Sequence, residues 1–119
     1  MTLDELLDAL RNKPDTISFE QVMQIIQENF DFTPTRFANG LGDDMVVNEA
    51  GQNEGSCRIF AFAQLYDLTP EQTLSCFGQY YRNDVLQNPD GTDHANIRTF
   101  MRHGWEGIQF DRPPLMHKA

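Results

Sequence analysis

The sequence predicts a predominantly helical α+β domain, with about five helices packed around a buried central helix and a small two- or three-stranded sheet or ribbon. Three observations carry that expectation. Two stretches near the N-terminus are capped and place their apolar residues on one helical face. Residues 59–66 are apolar on nearly every side, the mark of a helix buried all round. Residues 31–38 turn β-favouring immediately before an Asn-Gly turn.

The elements follow in chain order. Thr2 caps the first helix and Glu5 reaches back three residues later, after which Leu3, Leu6, Leu7 and Leu10 form one stripe. Asp4, Glu5 and Asp8 suit its positive end, Arg11 and Lys13 its negative end, and Pro14 stops it. A second helix begins near Ser18 with Phe19, Val22, Met23, Ile26 and Phe30 inward. Phe32, Thr33, Thr35 and Phe37 favour an edge strand or extended arm, because Pro34 cannot donate to a ladder. Asn39-Gly40 turns the chain, and Met45-Val46-Val47 is a candidate partner strand. The buried helix carries Ile59 to Tyr66. Thr69-Pro70-Glu71-Gln72 starts a fourth helix with Leu74, Phe77, Tyr81 and Val85 on one face. Asn88-Pro89-Asp90-Gly91 is a turn, Asp93 caps a last helix, and Gly104 ends it. Gly107 to Phe110 suits a closing strand. The expected organisation is one domain over residues 1–112, with Pro113-Pro114 opening a loose tail over 113–119.

Charge excludes some functions. The 119 residues hold 9 basic and 18 acidic side chains, a net charge of −9. Phosphate-backbone binding draws on Lys and Arg to release counterions, so neither nucleic acid nor an anionic membrane is an expected partner. The charge is uneven: residues 1–55 carry 11 acids and 3 bases, whereas 56–119 carry 7 acids and 6 bases. An acidic front half can face a basic partner, but a solvated surface explains it more simply. No apolar run approaches the roughly 18 residues of a membrane helix, and no secretory signal opens the chain. The expected compartment is the cytoplasm, and Cys57 and Cys76 are expected as reduced thiols.

The most suggestive chemistry lies in Gly51-Gln52-Asn53-Glu54-Gly55-Ser56-Cys57, which sets a thiol in the first turn of a helix. Free backbone N–H groups and the helix dipole there favour an anion and lower a thiol pKa. Cys57 is thus a candidate nucleophile, with His94 as base, Asp93 as its orienter and Gln52 or Asn53 at the oxyanion. Gly55-Ser56-Cys57 is similar to the nucleophile segment of papain-type proteases, with Arg58 standing where that family has an aromatic residue. The structural reading is plainer: Ser56 caps the helix and Cys57 fills its first turn. The same loop, through Asn53, Glu54 and Ser56 with Arg98 and Arg102, is a candidate anion-binding site. Asp90, Asp93 and His94 match neither an EF-hand nor a zinc motif, so no metal is expected, and no motif calls for a cofactor. Asp43, Asp44, Glu49 and Glu54 are weighed as a cation site against solvated loop acids. Tyr80, Tyr81, Arg82 and Trp105 are weighed as pocket lining against core.

Longer strings carry a likeness across almost the whole chain. They are Phe-Thr-Pro-Thr-Arg-Phe (32–37), Ala-Gly-Gln-Asn-Glu-Gly-Ser-Cys (50–57), Phe-Ala-Phe-Ala (60–63) and Thr-Pro-Glu-Gln-Thr-Leu (69–74). Cys-Phe-Gly-Gln-Tyr-Tyr-Arg (76–82), Gly-Thr-Asp-His-Ala-Asn-Ile-Arg (91–98) and Gly-Trp-Glu-Gly-Ile (104–108) continue it. In these the sequence resembles the HopJ family of bacterial type III effectors. The resemblance implies secretion into a host cell and no particular reaction, ligand or catalytic residue. The expected function is a small acidic binding domain without catalysis, its partner a protein or small molecule. A thiol-dependent hydrolase or transferase using Cys57 and His94 is the alternative, and a small anion-binding protein the third reading.

Overall fold

A computed structural model describes residues 1–118. Its five α-helices are α1 (Leu3–Asn12), α2 (Phe19–Asn29), α3 (Glu54–Leu65), α4 (Pro70–Ser75) and α5 (Ala95–His103), and a π-helical turn spans Tyr80–Val85. Five short strands accompany them: β1 (Phe30–Phe32), β2 (Phe37–Asn39), β3 (Val46–Asn48), β4 (Gln109–Phe110) and β5 (Leu115–His117). The fold is α+β and predominantly helical, as the sequence predicts.

The capping boxes of α1, α2 and α4 form as expected. Thr2, Ser18 and Thr69 each accept from the backbone N–H three residues on, and Glu5, Gln21 and Gln72 reach back to the capping residues. Helix α3 is the central element. Cys57 and the run Ile59 to Ala63 are buried, and Phe60 is the hub of the aromatic core. Its ring centroid lies 6.0 Å from that of Phe37, 5.6 Å from Phe77, 5.0 Å from Phe100 and 6.4 Å from Trp105. Tilted and edge-on rings at these distances add to the apolar burial that drives the packing. Leu65 departs from the expectation of burial all round and is exposed at the helix end.

The expected 31–38 arm is two strands in two sheets. β2 lies between β3 and β4 in an antiparallel sheet, with Phe37 opposite both Asn48 and Phe110. β1 instead pairs with β5, Phe30 opposite His117 and Phe32 opposite Leu115. Pro34 separates them because it has no N–H to continue the ladder. The expected loose tail is therefore corrected: residues 115–117 are β-structure. Leu115 is buried, Thr33 N–H donates to the Pro114 carbonyl at 2.8 Å, and Lys118 N–H donates to Asn29 at 3.1 Å.

The expected fourth helix through residue 85 is also divided. It stops after Ser75, and the chain resumes as the π-helical turn. Gly78 sits between with φ +58°, and a Cβ there would lie 2.5 Å from the Phe19 backbone nitrogen. Close backbone approach in a left-handed conformation demands glycine and ends the α-helical hydrogen bonding. Gln79 then locks the junction, accepting from Phe19 N–H at 3.1 Å and donating to the Glu20 carboxylate at 2.8 Å. Gly78→Ala is expected to lower stability by at least about 2 kcal/mol in urea denaturation, combining left-handed strain with a backbone clash. An unchanged midpoint would contradict that packing.

Candidate functional site

The N-termini of α3 and α5 open onto one cleft. Both helices begin from a non-glycine residue in the left-handed region: Asn53 at φ 50°, ψ 47° and His94 at φ 51°, ψ 54°. Neither side chain caps its own helix. The first intrahelical donors are Cys57 N–H to the Asn53 carbonyl at 3.0 Å and Arg98 N–H to the His94 carbonyl at 3.1 Å. The three N–H groups ahead of each, on residues 54–56 and 95–97, thus have no helical acceptor. The expected caps are corrected: Ser56 lies inside the first turn of α3 rather than before it, and Asp93 precedes the α5 cap.

Buried asparagines hold the two helix starts together. Asn39, Asn48 and Asn96 are almost wholly buried. Asn96 Nδ2 donates to Asn48 Oδ1 at 2.9 Å, and Asn48 Nδ2 donates back to Asn96 Oδ1 at 3.2 Å. Asn39 Nδ2 donates to the Asn96 carbonyl at 2.9 Å and to its Oδ1 at 3.0 Å. Asn53 Nδ2 joins by donating to Asn48 Oδ1 at 2.6 Å. Two strands and two helix starts thus share one amide network.

The cleft has a volume of ≈ 270 Å³. Asn53, Gly55 and Ser56 form its α3 side, and His94, Ala95 and Asn96 form its α5 side. Phe19, Phe77 and Tyr80 supply aromatic wall. Gly55 is required where it stands, since a Cβ there would meet the Phe19 ring at 2.8 Å. The His94 ring packs against Tyr80 with centroids 5.4 Å apart, and its Nε2 lies 2.9 Å from Asp84 Oδ2.

The proposed nucleophilic set does not assemble around Cys57. Its side chain is 1% exposed and its thiol faces the Thr35 carbonyl at 3.7 Å. Burial pushes the thiol up to about 11, against a small opposing effect of the Thr35 contact, so the group is neutral at ordinary pH. His94 pairs with Asp84 rather than Cys57, and Asp93 Oδ2 is farther from the ring nitrogen at 3.8 Å. Gln52 is exposed and its Oε1 accepts from Glu49 N–H at 3.3 Å, closing a turn rather than serving an oxyanion. The expected lowering of the thiol by the helix start is thus overturned, because desolvation by burial dominates at Cys57.

Arg98 is also committed. Its Nε donates to the Asp93 carbonyl at 2.6 Å, Nη1 to the Asn88 carbonyl at 2.8 Å and Nη2 to Asp93 Oδ1 at 2.6 Å. The buried guanidinium pins the 88–93 loop and holds the Asp93 carboxyl below the usual carboxylate range. Gly91 gives it room, because a Cβ would stand 2.6 Å from Nη2. Arg102 lies toward the other end of α5, where its Nε donates to Asp44 Oδ2 at 2.7 Å beside His103 at 2.8 Å. Glu54 is partly buried in the first turn of α3. The loop acids are dispersed as well, Glu49 pairing with Arg36 at 3.3 Å.

Of the residues singled out from sequence, Asn53, Ser56 and His94 meet at the cleft, with Tyr80 on its wall. Asp84, Asn48 and Asn96 were the residues missed. The turn around Pro89 returns the chain and is the one local signal that carries Asp84 to His94.

The sequence profile described as HopJ type III effector protein matches residues 3–115. The chain belongs to that family. A crystal structure of an unknown function protein, VPA0580, is similar to this HopJ-family chain at 51% identity and a TM-score of 0.93, over 99% of this chain and 95% of that one. No curated protein matches the sequence. No helix among the described residues is long and apolar enough to cross a membrane.

Two outcomes are expected for this site. Alkylation of Cys57, read by mass spectrometry against pH, should be slow without denaturant and rise toward about 11 rather than the free-thiol value, unaffected by His94→Ala. An inflection below about 8.5 that depends on His94 would restore the nucleophile. Asn96→Ala should cost about 2–4 kcal/mol in thermal or urea unfolding, because it strands the amides of Asn39 and Asn48 in the interior.

Proposed function

We propose that this HopJ-family domain acts by binding, and that the cleft between α3 and α5 takes a small ligand or side chain carrying an anionic group. The observation that carries the reading is the convergence of two helix N-termini, neither capped by a side chain, on a single cleft of ≈ 270 Å³. Unsatisfied N–H groups and the positive ends of two helix dipoles favour a carboxylate or phosphate. The Phe19, Phe77 and Tyr80 rings favour an apolar or planar body behind that charge. Catalysis by the thiol gains no support from a buried, neutral Cys57.

Secretion into a host cell is read from the family description of a type III effector. A binding domain suits that role by occupying a target rather than turning over a substrate.

Inorganic phosphate and benzoate are the probes that test the cleft. Titration followed by amide NMR should move the signals of Glu54, Gly55, Ser56, Ala95 and Asn96 together. Ser56→Asp places a carboxylate among those N–H groups at a position where helices accept acids, so the fold is kept while probe binding weakens at least about ten-fold. Shifts scattered over the surface, or undiminished binding in Ser56→Asp, would overturn the reading.

A further inference from the structure

We infer that Asp84, Asp93 and His94 form a binding site for a divalent first-row transition-metal ion at the rim of the cleft. One ligand atom from each of the three lies within 4.8 Å of the others. His94 Nε2 stands 2.9 Å from Asp84 Oδ2 and 3.8 Å from Asp93 Oδ2. Two ligands about 2.1 Å from one ion, at tetrahedral or octahedral angles, are about 3.0–3.4 Å apart, so the observed spacings bracket the requirement.

The donor set selects the ion. One imidazole nitrogen with two carboxylate oxygens suits Zn²⁺, Mn²⁺ or Fe²⁺, whereas Ca²⁺ and Mg²⁺ prefer oxygen alone. Neighbouring groups already orient the ligands. Tyr80 packs on the His94 ring, and Arg98 engages Asp93 through Oδ1 at 2.6 Å, which leaves Oδ2 turned toward His94. Such outer contacts are what metal ligands ordinarily need to hold their geometry. The ligands come from the π-helical turn and from the start of α5, two segments that Arg98 ties through the 88–93 loop.

Charge gives the site a reason. Two carboxylates beside the start of α5 oppose an anion approaching the cleft from that side, and Arg98 offsets Asp93 alone. A dication on Asp84, Asp93 and His94 neutralises both acids where His94 meets the cleft. The side chains of Asp84, Asp93 and His94 are 46%, 58% and 30% exposed, which leaves coordination positions open to water. The inference goes beyond the anion reading and does not require it, since uptake of the ion is read with no anion present.

Zn²⁺ alone is the probe, titrated calorimetrically into the full chain in a non-coordinating buffer, with Mn²⁺ followed separately by electron paramagnetic resonance. One ion per chain with micromolar or tighter affinity is expected, and excess Mg²⁺ should not displace it. Asp84→Asn and His94→Gln should each weaken uptake at least about ten-fold, while His103→Gln, at the separate Asp44 pair, should leave it unchanged. Circular dichroism establishes that the variants remain folded, as expected for partly exposed side chains. Absence of stoichiometric uptake, or uptake that survives Asp84→Asn, would overturn the site and leave a simple His94–Asp84 ion pair. Anion shifts at the helix starts without metal uptake would preserve the cleft reading and refute this one.

Discussion

The buried amide network of Asn39, Asn48 and Asn96, which the exposed Asn53 joins from the start of α3, is the constraint on which the rest of the arrangement depends. Each bond contributes only about 1 kcal/mol net, but each amide deprived of its partner costs about 1–3 kcal/mol in the interior. The network therefore acts less as glue than as a selector: packings that misplace one asparagine leave the others unsatisfied. It couples β2, β3 and the starts of α3 and α5, elements well separated along the chain. Asn39 Oδ1 has no partner, so even the native arrangement carries one unmet acceptor. Reversing that amide would only trade the cost, since its nitrogen already serves two oxygens of Asn96.

A second layer of organisation comes from backbone that side chains cannot replace. Gly55 yields to the Phe19 ring, and Gly78 yields to the Phe19 main chain. Phe19 is thereby held from both sides, and its ring forms part of the cleft wall. Arg98 does the equivalent for the opposite rim, exchanging a long flexible side chain for three short bonds to the 88–93 loop and Asp93. Cleft and loop are thus built from rigid parts, which suits a site that recognises by shape and fixed dipoles rather than by closing over its ligand.

Local signals were readable where physics is local. The capping boxes at Thr2, Ser18 and Thr69 and the apolar run of α3 name their own elements, because caps and periodicity act within a few residues. The π-helical turn and the β1–β5 pair were not readable: Gly78 is left-handed to clear a backbone 59 positions earlier in sequence, and Leu115 is buried by a strand far from it. The same divide runs through the site. Ser56, Asn53 and His94 announce themselves as helix-start residues, whereas Asp84 gains its meaning only when the Pro89 turn returns the chain. Cys57 misled because a helix start lowers a thiol pKa only while water or a base can reach the sulfur. Here Thr35 and the surrounding core take that place.

Both thiols of this chain are withdrawn, Cys57 beneath the Thr35 carbonyl and Cys76 wholly inside the core, its thiol pushed up to about 12 by burial. A protein with native cysteines of that kind is already prepared for site-directed labelling. A single cysteine introduced at the surface would be the fast-reacting sulfur under mild conditions, with no prior replacement of the native pair. Two such cysteines, one on each lip of the cleft, would carry the spin or fluorescent labels that measure its width.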